Sequence, residues 1–113
     1  MKRPSYRPPT KAQIKASLKE ASESILEQLH FVDVIAINPK DILMEGYVAV
    51  PVRLELVELA LLHPERLLPI VVEPFYGGYM LLDGHHRLEA ILEVRLPTIW
   101  VVVAEIVRSR RRR

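Results

Sequence analysis

Five consecutive residues, Asp83-Gly84-His85-His86-Arg87, bring a carboxyl, a bare backbone position, two imidazoles and a guanidinium together. They fall where one local pattern gives way to another. The apolar, strand-like Leu81-Leu82 runs into Asp83, Gly84 makes a turn, and a helical pattern through Leu88, Ala90 and Ile91 follows at once. A helix built only for packing opens with a cap residue and apolar positions, not with two histidines and an arginine. The arrangement makes chemical sense around an anion. The first N–H groups of a helix lack internal partners, and the helix dipole puts partial positive charge there. Together they form an anion site. Gly84 lets a phosphate approach the backbone, and Arg87 can add a two-pronged charged hydrogen bond.

Each of these residues also has a plainer reading. Gly84 and Arg87 suit a simple strand-to-helix turn with a solvated arginine. His85 and His86 either contact phosphate or substrate, or bond a neighbouring carbonyl. Asp83 orients a histidine, holds Mg²⁺ through water, or caps the helix. Asp83, His85, His86 and Glu89 are close enough in sequence to raise a metal site, and His86 and Glu89, three apart, share a helix face. Adjacent histidines on a helix point about 100° apart, which argues against a shared transition metal. His30 and His63 mark element ends.

The elements that must position this turn follow from periodicity. Residues 1–9 hold three prolines and should be disordered or extended. Ile14, Leu18, Ala21, Ile25 and Leu29 recur at helical spacing behind Thr10, a candidate N-cap, predicting a helix from Thr10 to about Leu29. This helix either packs on the body or serves as a dimerisation arm, so a homodimer stays open. Phe31–Ile37 reads as a strand stopped by Asn38-Pro39, and Lys40–Val50 as a connection. Pro51 to about Leu62 reads as a helix opened by its proline and ended by His63-Pro64. Pro69–Glu73 and Tyr79–Leu82 read as strands joined by a hairpin turn at Phe75-Tyr76-Gly77-Gly78. His85 to about Glu93 is a helix, and Pro97–Val103 a central strand. Tyr76, Tyr79 and Trp100 are hairpin and core residues. The result is a small mixed α/β (α+β) sheet with packed helices. Its glycine turn lies where a strand feeds a helix, a usual site for phosphate-bearing ligands.

The chain has 113 residues, half of them hydrophobic, and no cysteine, which excludes disulfides and thiolate chemistry. No apolar run reaches the roughly 20 residues of a membrane span, and the basic, proline-rich start does not read as a signal peptide. A cytoplasmic setting is expected. Scarce Asn and Gln beside abundant Glu, Arg and Leu point to a thermophilic source. The net charge of +2 conceals an uneven distribution. Met1–Lys19 carries six basic residues and no acid, and Arg108–Arg113 carries five arginines. Between them all 14 acids face only five bases, an excess of nine negative charges. Basic tails on an acidic body suit contact with DNA or another polyanion. They also serve solubility, or fold back on the body. The chain thus divides into a basic tail at 1–9, a helix at 10–30, a domain at 31–107 and an arginine tail at 108–113.

The stretch from Leu68 to Val103 resembles the ParB/sulfiredoxin-like superfamily. The resemblance rests on the strand Leu68–Glu73, the hairpin at Gly77-Gly78, the strand Leu81–Asp83, Gly84–Arg87 opening a helix with Ala90 three further on, Leu96-Pro97, and the final strand Thr98–Val103. The upstream strand Phe31–Pro39 and helix Pro51–Leu62 extend it to residues 31–104. Asp-Gly-His-His-Arg is most similar to the archaeal free-serine-kinase branch. The resemblance implies a nucleotide whose phosphates lie on Gly84–Arg87, with ATP or ADP first and CTP second, together with Mg²⁺. It implies a glutamate after the first strand as catalytic base, for which Glu45 is the candidate, and places Arg53 near the site. The chain departs from the family in three ways. No cysteine follows Gly84, excluding sulfiredoxin chemistry. His85-His86 replaces the turn of CTP clamps. The extra chain that builds the serine pocket of the kinases is absent from these 113 residues.

Two functions are therefore expected. The first is a phosphotransferase with phosphates on Asp83–Arg87 and Glu45 or Asp83 activating an acceptor hydroxyl. The second is a ParB-like, DNA-binding or partition-related module using its basic tails, with the nucleotide as regulator or absent. A nuclease ranks third, since no clustered carboxylates suit two metal ions.

Overall fold

The computed structural model describes residues 3–44, 46 and 50–107. Two strands at its centre are apolar in both directions. Ile70-Val71-Val72 and Ile99–Ala104 are buried on both faces, as parallel central strands require. Around them the chain folds in the order α1 (Lys11–Ile25), β1 (Leu29–Ile37), β2 (Ile42–Leu43), α2 (Leu54–Leu62), β3 (Ile70–Phe75), β4 (Gly78–Asp83), α3 (His85–Val94) and β5 (Ile99–Ile106). The single sheet has the order β1-β5-β3-β4-β2. β3 and β5 are parallel, as are β2 and β4, while β1–β5 and β3–β4 are antiparallel. The fold is mixed α/β, as the element order predicts.

Alternation along the central strands divides the interior in two. Ile70, Val72, Val101 and Val103 face Ala60 of α2 and Leu88 and Ile91 of α3. Val71, Val102 and Ala104 face Ala21, Leu18 and Ile25 of α1. α1 therefore packs on the body. Its start is fixed by a capping box: the Thr10 hydroxyl accepts from Gln13 N–H at 3.1 Å, and Gln13 Oε1 accepts from Thr10 N–H at 2.9 Å. The Gln13 amide also donates to Glu65 O at 2.9 Å, tying α1 to the 3-10 turn Pro64–Arg66.

Three boundaries depart from the periodic pattern. α1 stops at Ile25, because Leu26 turns left-handed at φ 58°. Leu29, in register with the helical spacing, instead begins β1 and packs as a strand residue. α2 starts at Leu54 rather than Pro51, with Arg53 at its N-cap. The connection after Pro39 contains a 3-10 turn and then β2, two residues long and too short to show alternation. The β3–β4 hairpin turns on Tyr76 and Gly77 at φ 47° and 80°, both positive as a type I′ turn demands. Tyr76 is 95% exposed there.

The start of the chain is extended and anchored. Trp100 Nε1 donates to Tyr6 O at 2.9 Å, Trp100 N–H donates to the Tyr6 hydroxyl at 3.4 Å, and the Arg3 guanidinium lies 5.1 Å from the centre of the indole. Arg3 is thus held against Trp100. The final arginines, Arg108–Arg113, lie outside the described residues. No helix among the described residues is long and apolar enough to cross a membrane.

Trp100 is the chain's single tryptophan, so its emission reports on this anchor. Removing residues 1–9 should red-shift that emission and lower the unfolding free energy by about 1 kcal/mol or more, the value of a hydrogen bond plus lost cover. Unchanged emission would show that the segment leaves Trp100 uncovered in solution.

Candidate functional site

β4 delivers Asp83 to the end of the sheet, opposite Val71 of β3, and the chain then turns directly into α3. Gly84 makes that turn at φ 109°, a conformation closed to most side chains. The space is closed too: a Cβ on Gly84 would lie 3.0 Å from Ile70 Cγ1 and 3.2 Å from Arg87 Nη2. Gly84, not Asp83, is also the N-cap residue of α3, with no side-chain cap bond.

A cleft of about 1060 Å³, measured to its open mouth, faces this turn. Asp83, Gly84, His85, His86, Arg87 and Arg53 all line it, so six of the seven residues read from the sequence meet in one place. The seventh, Glu45, lies outside the described residues. Three further polar residues join them: Glu20 and Ser24 from α1, and Arg66 from the turn before β3. Leu56 and Leu59 of α2, with Leu67 and Leu68, form an apolar wall beside the charges. Glu20 lies 67 positions from Arg87 in the chain, and its helical spacing marks only a solvated face. Arg66 follows a helix-ending His-Pro and carries no motif. Neither could be found locally.

Arg87 is the electrostatic centre. Its side chain is only 14% exposed, and both prongs meet acids: Nη1 lies 3.1 Å from Glu20 Oε1, and Nη2 lies 3.7 Å from Asp83 Oδ2. The second distance is an ion pair, too long for a hydrogen bond. Among the described residues, the fully buried side-chain polar atoms without a hydrogen-bond partner are Asp83 Oδ2, His86 Nδ1, Arg87 Nε and Arg87 Nη2. All four belong to this turn. Leaving such a group unsatisfied costs about 1–3 kcal/mol, and folded proteins seldom collect four at one point without a ligand or ion to meet them.

His85, rather than His86, approaches Glu89, with Nε2 3.4 Å from Oε2 one helical turn on. The two imidazoles stack with centroids 6.2 Å apart. Among the described residues no group of three or more His, Cys, Asp or Glu is placed to hold a metal ion. A Mg²⁺ carried by a phosphate chain needs only one or two protein carboxylates, and Asp83 and Glu20, both at Arg87, fit that smaller role. No family model, no curated protein and no solved structure matches this chain.

Burial pushes the Asp83 carboxyl above its ordinary range, and the neighbouring Glu20 carboxyl adds to this. Arg87 and the Gly84 N–H pull the other way without reversing it. The native state thus keeps this proton to higher pH than the unfolded chain. From about 3.8 up to the raised value, Asp83 makes stability fall as pH rises. Asp83→Asn should remove that slope, so its urea midpoint relative to wild type climbs across this window and then levels off. A relative midpoint that falls instead would mean Arg87 dominates the carboxyl. Gly84→Ala should lose about 1–3 kcal/mol through its left-handed backbone and the clash with Ile70; a stability equal to wild type in thermal unfolding would show that the turn can re-form around a side chain.

Proposed function

We propose that this chain is a ParB/sulfiredoxin-like domain that binds a nucleotide in the Asp83–Arg87 cleft and transfers its terminal phosphoryl group. The observation that carries the reading is the set of buried nitrogens of His86 and Arg87 that make no hydrogen bond, at the start of α3, in a cleft that also holds Arg53 and Arg66. Three arginines and a helix N-terminus suit a chain of phosphates. The leucine wall beside them suits a base and ribose, which a site for free phosphate would not need. ATP or ADP is the expected nucleotide, with CTP second. A cytoplasmic setting accords with such a ligand.

Phosphoryl transfer asks a protein mainly for positioning and charge stabilisation. In this reading, Arg87 and the first N–H groups of α3 hold the transferring phosphoryl group, and Arg53 and Arg66 hold the rest of the chain. Asp83, its carboxyl already biased toward holding a proton, accepts the proton of an acceptor hydroxyl. The acceptor oxygen forms a bond to the terminal phosphorus as the bridging oxygen of the nucleotide leaves with its electron pair. Mg²⁺ bound with the phosphates would supply charge neutralisation, and Asp83 would be its protein contact where Glu45 serves as base. The glutamate that the resemblance nominates as base, Glu45, is the alternative proton acceptor.

Calorimetric titration of ATP, ADP, CTP and GTP, with and without Mg²⁺, tests this on wild type and Arg87→Ala. Binding of one nucleotide, weakened at least about 30-fold in Arg87→Ala, is expected from the loss of a buried charge-assisted pair. Nucleotide binding that survives the substitution would place the ligand elsewhere. No binding by wild type would make the turn structural.

A further inference from the structure

Arg87 already has an anion on it. Glu20 Oε1 sits 3.1 Å from Nη1, and Glu20 reaches it from α1, the helix on the opposite face of the sheet from α3. The two acids at Arg87 are not equivalent. Asp83 is held at the strand end with its side chain 18% exposed, whereas the Glu20 side chain is 50% exposed on a helix surface. An incoming phosphate oxygen that takes Nη1 must displace Glu20, the one free to swing into solvent. Nη2 and Nε have no hydrogen bond to give up.

We propose that Glu20 is a built-in competitor for Arg87 that sets the ligand class of the cleft, admitting anions with two or more phosphoryl groups and turning away single carboxylates and other monoanions. A monoanion offers Arg87 the same charge that Glu20 offers. Glu20 is tethered and so acts at high effective concentration, and a free monoanion loses that exchange. A pyrophosphate unit brings more charge and more oxygens. It can take Nη1 from Glu20, hydrogen-bond Nη2 and Nε, and reach Arg53 or Arg66 in the same cleft. The discrimination follows from Glu20 excluding the weaker competitor as much as from attraction to the stronger one. It rests on the phosphate-binding reading of the cleft above.

Inorganic pyrophosphate and acetate serve as the probes, titrated by calorimetry into wild type, Glu20→Gln, Glu20→Ala, Arg87→Ala and Glu23→Gln. Glu23 is an exposed acid of the same helix outside the cleft, so its variant carries the same change in net charge. Glu20→Gln and Glu20→Ala should bind pyrophosphate about two- to fivefold tighter, the range expected for release of a partly exposed ion pair. Their margin over acetate should narrow, and Glu23→Gln should match wild type. Equal tightening in Glu23→Gln would overturn the proposal by reducing the effect to net charge. Unchanged or weaker pyrophosphate binding in both Glu20 variants, with binding still lost in Arg87→Ala, would overturn it and leave the phosphate reading standing. Absence of pyrophosphate binding in wild type and the Glu20 variants alike would overturn both.

Discussion

The parallel pairing of β3 with β5, buried on both faces, is the constraint on which the rest of the molecule depends. Each valine or isoleucine removed from water there contributes about 1.5–3 kcal/mol. That gain is available only if helices cover both sides, and the chain supplies α1 for one face and α2 with α3 for the other. Once those layers are set, β4 has to run antiparallel along β3, and its last residue has to emerge at the end of the sheet between them. The charged turn is placed by the packing of uncharged strands.

Charge then links what packing separates. The tails are basic and the body acidic, yet the cleft gathers arginines from three places, at 53, 66 and 87. Two acids, Glu20 and Asp83, keep that concentration of positive charge tolerable. Burial makes Asp83 a reluctant anion, so the neutralisation is incomplete, and the unsatisfied nitrogens of Arg87 and His86 are its visible remainder. A helix start that needed only stability would have exchanged these groups for a capping serine and a leucine.

Much of this was legible from the residues alone. Periodicity located the helices and the four longer strands, Thr10 announced its own cap, and Gly77 and Gly84 marked turns that do take positive φ. The cluster Asp83–Arg87 stood out because five chemically active positions adjoin in sequence. What escaped was non-local or too short. β2 has two residues, and its pairing with β4 is set by the sheet rather than by propensity. The register of helical spacing ran through Leu29 because a period of three or four cannot show where the backbone turns left-handed at Leu26. Glu20, Ser24 and Arg66 reach the cleft only through the docking of α1 and of the turn before β3. The hold of Tyr6 on Trp100 spans 94 positions and leaves no pattern in either segment.

Gly84 and Ile70 deserve to be taken together. The glycine has no room for a side chain because the first residue of β3 fills it, with Ile70 Cγ1 only 3.0 Å from where a Cβ would stand. Ile70 is also fully buried in the core shared by α2 and α3. One aliphatic side chain therefore helps hold the sheet and fixes how close the backbone of the turn lies to β3. Substitution at Ile70 is limited by the conformation of the turn as well as by the core, so the geometry of a polar turn depends on one residue that is wholly apolar.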